Sequence, residues 1–200
     1  MAAQPDCTKP PSSSRPPISP ASIILSFSRS RTQEAPFAGP SWQRAAIFLA
    51  AALLAQVSFL HYITVRGATL SPVLVVVVWY AIAAGAERAA IFGLVAGLCE
   101  DMLGTYTGGA WTVATTLTAI AAALLSRGFF GDSIPLVAGI VILATLLHKL
   151  IFWMMMQAQG YPPGLGWVHF HAALWQAVLN ALLVAAVMLV LRYRENVALS

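Results

Sequence analysis

The chain has 200 residues and a formal net charge of +4, with 59% of its residues hydrophobic and only 9% charged. A soluble domain has roughly a quarter of its residues charged, and a small fold leaves much of its area in contact with solvent, so this composition excludes a water-facing exterior and points to lipid as the solvent. The Lys and Arg residues are spread along the chain beside apolar runs, which makes them topology signals and excludes a patch suited to nucleic acid.

Residues 1–41 are rich in Pro and Ser, with Pro10, Pro11, Ser12, Ser13, Ser14, Pro16, Pro17 and Pro20 in close succession. They lack a hydrophobic period long enough to pack and read as a disordered tail. The apolar patch Ile23-Ile24-Leu25 is too short for the core of a signal peptide, so cleavage is not expected. The alternative reading is a membrane-surface anchor, with Arg29 and Arg31 meeting lipid head groups.

From residue 42 to residue 194 the chain alternates long apolar runs with brief polar or Gly/Pro breaks, and this stretch predicts an all-α, polytopic transmembrane helical bundle. A bilayer span needs about 20 apolar residues. Six runs come close, at about 45–62, 70–84, 89–103, 109–126, 134–157 and 170–191. Trp42 and Arg44 suit a membrane interface at the start of the first, and Pro135 suits the opening turn of the fifth. The sixth is expected to stop at Arg192, Tyr193 and Arg194, leaving residues 195–200 as a short tail. The second and third runs are shorter than a standard span, and a tilted or re-entrant hairpin is the alternative there.

Positive charge sets the expected orientation. With six spans one side receives Lys9, Arg15, Arg29, Arg31, Arg44, Arg88, Arg127, Arg192 and Arg194, and the other receives only Arg66. Both termini are therefore expected in the cytoplasm.

The third run holds Gly93 and Gly97 at small-xxx-small spacing, extended backward by Ala89, which makes one helix face flat enough for close approach by another helix of this chain or of a partner. Glu100 and Asp101 follow near its outer end, where a carboxylate needs a pairing group, a proton or water. Lys149 falls at a similar depth in the fifth run. Two readings stand open: Lys149 pairs with Asp101 or Glu100, or the carboxylates mark a helix end while Lys149 snorkels to the interface. Gln176 and Asn180, four residues apart on one face of the sixth run, suit hydrogen bonds between helices. Thr112, Thr115, Thr116 and Thr118 are expected to bond back to their own helix or to a packed neighbour.

No phosphate loop, nucleophile elbow or zinc-protease motif occurs, and an enzyme is disfavoured. No cofactor is expected. The two cysteines, Cys7 and Cys99, are far apart and suggest neither a disulfide framework nor a zinc site. His148, His169 and His171 with Glu100 match no standard metal spacing.

The region from Arg66 to Phe130 resembles the rod shape-determining protein MreD, a bacterial inner-membrane family. Pro72 opens an apolar helix that ends in a small basic turn, and Gly93, Gly97-Leu98, Asp101, Leu103-Gly104 and Gly108 or Gly109 are similar to the family's glycine, aspartate and glycine pattern. Leu174, Gln176, Leu179-Asn180 and Leu183 are similar to its last span, while Glu100 adds a second carboxylate that departs from the pattern. The resemblance implies a non-enzymatic scaffold of the cell-elongation machinery. It implies contact with the bitopic protein MreC and, through it, with the filament protein MreB and the wall synthases. Gly93, Gly97 and Gly104 would form its packing or partner face, and Asp101 and Asn180 would be the positions to test. The alternative is the substrate-binding membrane subunit of a vitamin importer, with Glu100, Asp101, Trp111, His169 and Asn180 around an outward-facing pocket. A third reading, an intramembrane enzyme, would need Asp101 for activity.

Overall fold

A computed structural model describes residues 40–60, 64–104, 108–127 and 133–198. Most of the expected tail, and His61 and Tyr62 of the first expected span, lie outside these residues. The described residues form six α-helices: α1 (Trp42–Ala55), α2 (Pro72–Ala84), α3 (Ala86–Leu103), α4 (Ala110–Ser126), α5 (Ile134–Ala158) and α6 (Gly166–Ala198). Their starts and stops follow from local chemistry. Pro72 and Pro135 occupy the first turns of α2 and α5, where a missing N–H leaves no helical bond unmade. Gly85 alone separates α2 from α3 with φ of 82°, a backbone conformation that L side chains rarely adopt.

Two helices, α5 and the stretch Gly166–Arg194 of α6, are long and apolar enough to cross a membrane. The other four differ from the expected spans. The 13 residues of α2 rise about 20 Å, against a hydrocarbon thickness of about 30 Å. The 18 residues of α3 include Glu87, Arg88, Glu100 and Asp101. At its far end α6 does not stop at Arg192–Arg194 but continues to Ala198. Charge ends an apolar span, but Arg and Glu are good helix formers, and no Gly or Pro follows to break the helix.

A second difference lies between α1 and α2. The last part of α1 widens into a π-helical turn, Gln56–Leu60. A hairpin follows, with strand β1 (Thr64–Val65) antiparallel to β2 (Ala68–Thr69) and Thr64 opposite Thr69. Its turn places Arg66 at φ 53° and Gly67 at φ 80°. Positive φ at both central residues matches the twist that a two-residue hairpin needs, and for Arg it is uncommon. The Arg66 guanidinium is held 4.6 Å over the Trp175 ring of α6, a cation–π contact that supports the turn.

Consecutive helices run antiparallel and pack side by side, α3 most closely on α4, with α5 against α4 and α6 against α5. The core is built from Val73, Val77, Tyr80, Phe92, Ala96 and Ala119 with Val141. At the end where α1 begins, Trp42 meets Tyr80 and Phe92 edge-on with centroids 6.0 and 5.7 Å away. The helices also carry large apolar side chains on the outside: Ile47, Leu54, Ile91, Leu117, Leu143 and Leu182 are exposed on five different helices. In the best window of each membrane-length helix only 28% of residues are buried within the protein.

Candidate functional site

The polar groups of the helices converge toward the end of the bundle where α1 and α3 finish and α4 begins. Glu100, in the last turn of α3, is 7% exposed. Its carboxylate accepts hydrogen bonds from Gln56 Nε2 at 3.3 Å and from Thr115 Oγ1 at 3.1 Å. Thr115 Oγ1 lies 3.2 Å from Nε2 of His148 on α5. Because the Thr115 proton goes to Glu100, the hydroxyl can only accept from His148, which assigns the Nε2–H tautomer. Nδ1 of His148 is then an acceptor, and it has no partner.

On the other side, Gln56 Oε1 accepts from Ser71 Oγ at 3.5 Å. The Ser71 N–H donates to Asn180 Oδ1 at 3.1 Å, and Asn180 Nδ2 donates to Thr145 Oγ1 at 3.2 Å. Thr145 in turn bonds back to Val141 of its own helix. Read in order, His148, Thr115, Glu100, Gln56, Ser71, Asn180 and Thr145 form a circuit through all six helices or their caps. It returns to α5 one turn from its start. Every member but Gln56 is more than nine-tenths buried, where a hydrogen bond is electrostatically stronger and an unmade one more costly than in water.

Asp101 faces another way. Its carboxylate accepts from the backbone N–H of Trp111 at 3.3 Å and of Thr112 at 2.8 Å, and from the Thr112 hydroxyl. These are amides of the first turn of α4, whose own N-cap, Gly109, has no side chain to offer. A carboxylate there satisfies two unbonded donors and sits at the positive end of the helix dipole. Asn180 does the same job at α2, where the Ser71 N-cap makes no side-chain cap bond of its own.

The glycines lie just below. A Cβ on Gly93 would stand 2.7 Å from Ala119 Cβ, and one on Gly97 would stand 2.6 Å from Thr112 Cα and 2.9 Å from the Trp111 carbonyl oxygen. The flat face of α3 is therefore occupied by α4 of the same chain. Gly104 is the C-cap of α3, bonding back to Glu100 O, and stands apart from that contact.

Lys149 extends its ammonium over the rings of Trp111 and Phe152, at 5.3 and 6.0 Å from their centroids. It acts electrostatically on Glu100. Gln176 is buried on α6, one turn before Asn180. His169 stacks on Trp153 at 5.1 Å and approaches the Lys149 carbonyl oxygen. Among the described residues no three His, Cys, Asp or Glu side chains are grouped as a metal site would require.

Between these elements lies a cavity of about 520 Å³. Leu53, Val57 and Leu103 form its apolar wall, Gln56 and Glu100 bring polar side chains to it, and Trp111 and Gly104 complete the lining. Of the five residues expected around an outward-facing pocket, Glu100 and Trp111 line it. Asp101, His169 and Asn180 are engaged elsewhere.

Sequence reasoning singled out Glu100, Asp101 and Asn180 but missed Gln56, Ser71 and Thr145. Gln56 had a signal: it is the one amide in the first apolar run. Ser71 and Thr145 had none, because their role comes from Asn180, 109 and 35 residues away. The fold and site together define a helical bundle with two membrane-length helices and a buried polar circuit. No protein-family model, curated protein or solved structure gives a significant match to this chain.

Proposed function

We propose that the chain is a six-span inner-membrane protein with both ends in the cytoplasm, and that it serves as a non-enzymatic scaffold of the bacterial cell-elongation machinery. Membrane residence is supported by the apolar exterior, since so many large apolar side chains exposed to water would drive aggregation. The shorter helices reach the interfaces with their charged ends, Arg44, Arg88 and Arg127 on the side where α1 begins.

The observation that carries the scaffold reading is the junction of α3 with α4. The segment that resembles the MreD family, Gly93, Gly97 and Asp101, forms one unit there: the glycines admit α4 to backbone contact and Asp101 fixes its first turn. Such close packing with a tertiary cap suits a protein that holds partners in register. The partners are then a bitopic MreC-like protein and, through it, an MreB-like filament and the wall synthases. The test is depletion in the bacterial host with co-purification from its membranes. The scaffold reading expects rounded cells and recovery of the bitopic partner, and cells that stay rod-shaped on complete depletion would sink it.

The cavity favours a second reading, the substrate-binding subunit of an importer. That reading requires the chain to co-purify with an ATPase pair and to support ATP-dependent uptake.

A further inference from the structure

The cavity beside Glu100 combines one carboxylate with an apolar wall. We infer that it binds a small organic cation with an apolar body, its charged head on Glu100 and its tail along Leu53, Val57 and Leu103.

Three observations lead there. The first is size, since about 520 Å³ falls within the roughly 300–1,000 Å³ of small-molecule sites. The second is charge. Among the described residues Glu100 is the ionisable group lining the cavity, and its two hydrogen bonds come from the neutral donors Gln56 and Thr115. A carboxylate has about four acceptor positions, so capacity remains for a further donor. Lys149 and Asp101 both act on it electrostatically, and neither donates a hydrogen bond to it among the described residues. The Lys149 ammonium is turned onto the faces of Trp111 and Phe152. A buried carboxylate in an apolar setting needs a pairing group, a proton or water, and a cationic ligand in the cavity on the open side of Glu100 would supply the first. The third is the wall: Leu53, Val57 and Leu103 offer no hydrogen bond to a ligand's far end, which selects an apolar body over a polyol or a second charge. With Lys149 already on its ring, Trp111 adds apolar surface to that wall.

The π-helical turn supplies a reason for the local geometry. Widening the helix at Gln56–Leu60 sets Gln56 and Val57 at the cavity edge, and such turns occur often at functional sites.

The inference does not rest on the scaffold role. Cell shape reports on one and ligand titration on the other, so either can fail alone. The test uses the full chain in nanodiscs of neutral lipid, titrated with n-hexylammonium, with hexanol and hexanoate as neutral and anionic counterparts of the same length. Saturable thermal stabilisation by hexylammonium is expected, with the other two weaker by tenfold or more. Glu100→Gln should lose at least tenfold in affinity. Leu103→Trp fills the cavity from an exposed wall position and leaves the Glu100 bonds in place, so it should melt like the parent chain yet lose the response. If Glu100→Gln fails to fold, the hexanol comparison and Leu103→Trp still decide. Equal stabilisation by hexanol, as for a lipid-filled groove, or an undiminished response in Leu103→Trp, overturns the inference.

Discussion

The Asp101 carboxylate lies 2.8 Å from the Thr112 backbone N–H, so a side chain from the end of α3 caps the beginning of α4. A helix ordinarily receives its cap from the residue just before it, and Gly109 cannot provide one. The cap is thereby a tertiary contact. The Trp111 and Thr112 amides of α4 therefore depend on α3 for their acceptor.

Removing this cap should destabilise the bundle in a graded way. Asp101→Ala leaves the Trp111 and Thr112 amides without their acceptor and should cost about 1–2 kcal/mol. Asp101→Asn keeps an acceptor but loses the attraction of a full charge to the helix N-terminus, about 0.3–1 kcal/mol. Reversible unfolding in mild detergent would rank the parent above Asp101→Asn and Asp101→Ala last. Identical stability for all three would show that the contact carries no energy.

The two glycines should respond differently to the same methyl group. A Cβ at Gly93 meets first the Cβ of Ala119 at 2.7 Å, a side-chain atom that can be removed, and then the Thr115 carbonyl oxygen and Thr116 Cα at 3.1 and 3.2 Å. A Cβ at Gly97 meets Thr112 Cα and the Trp111 carbonyl oxygen, which are backbone. Each Gly→Ala change should cost about 1–3 kcal/mol through overpacking. Measured against the Ala119→Gly chain, which carries the helix cost of about 1 kcal/mol for the new glycine, Gly93→Ala should then cost less than it does in the parent and Gly97→Ala should cost the same. Thermal melts of these variants in one detergent would test this, and an equal reduction of both costs would contradict the geometry.

How far these contacts were legible in the sequence depends on the distance over which each is made. The six helical segments could be read, because apolar runs and Gly/Pro breaks act within one element, and Pro72, Gly85 and Pro135 mark their boundaries where expected. The end of α6 was misplaced because Arg192 and Arg194 change solvent preference without changing helix propensity. The hairpin around Arg66 and Gly67 was missed because its support is Trp175, more than a hundred residues away. The glycine spacing and the two carboxylates stood out as unusual for an apolar helix. Their division of labour did not: adjacent residues on a helix point about 100° apart, so Glu100 turns into the cavity and the circuit while Asp101 turns to α4. Lys149 places its ammonium over two aromatic rings, contacts that the sequence spacing did not indicate.

Asn180 links three helices through two hydrogen bonds, and its removal should be felt at a distance. Asn180→Leu deprives the Ser71 amide of its acceptor and Thr145 of its donor. An unsatisfied buried group costs about 1–3 kcal/mol, and the new side chain adds bulk at a position with no exposure. Loss of hydrogen-exchange protection at the first turn of α2 is the expected signature. If protection falls uniformly over all helices, or not at all, Asn180 is not acting as the cap of α2.

Thr118 and Thr115 lie one turn apart on α4 and are both fully buried, yet they should behave in opposite ways. The Thr118 hydroxyl has no partner, so its oxygen is held away from water with no compensating bond. Thr118→Val keeps the shape and removes the unsatisfied group, and should be neutral or stabilising by up to about 1 kcal/mol. Thr115 stands between Glu100 and His148, and Thr115→Val would strip a donor from the carboxylate and an acceptor from the imidazole together. That change should destabilise by about 1–3 kcal/mol. Unfolding midpoints of the two variants, measured side by side, should bracket the parent chain or at least separate widely. Because the substitution is the same and both sites are buried, such a separation reports the hydrogen-bond circuit itself rather than helix propensity or burial, and two equal midpoints would remove Thr115 from it.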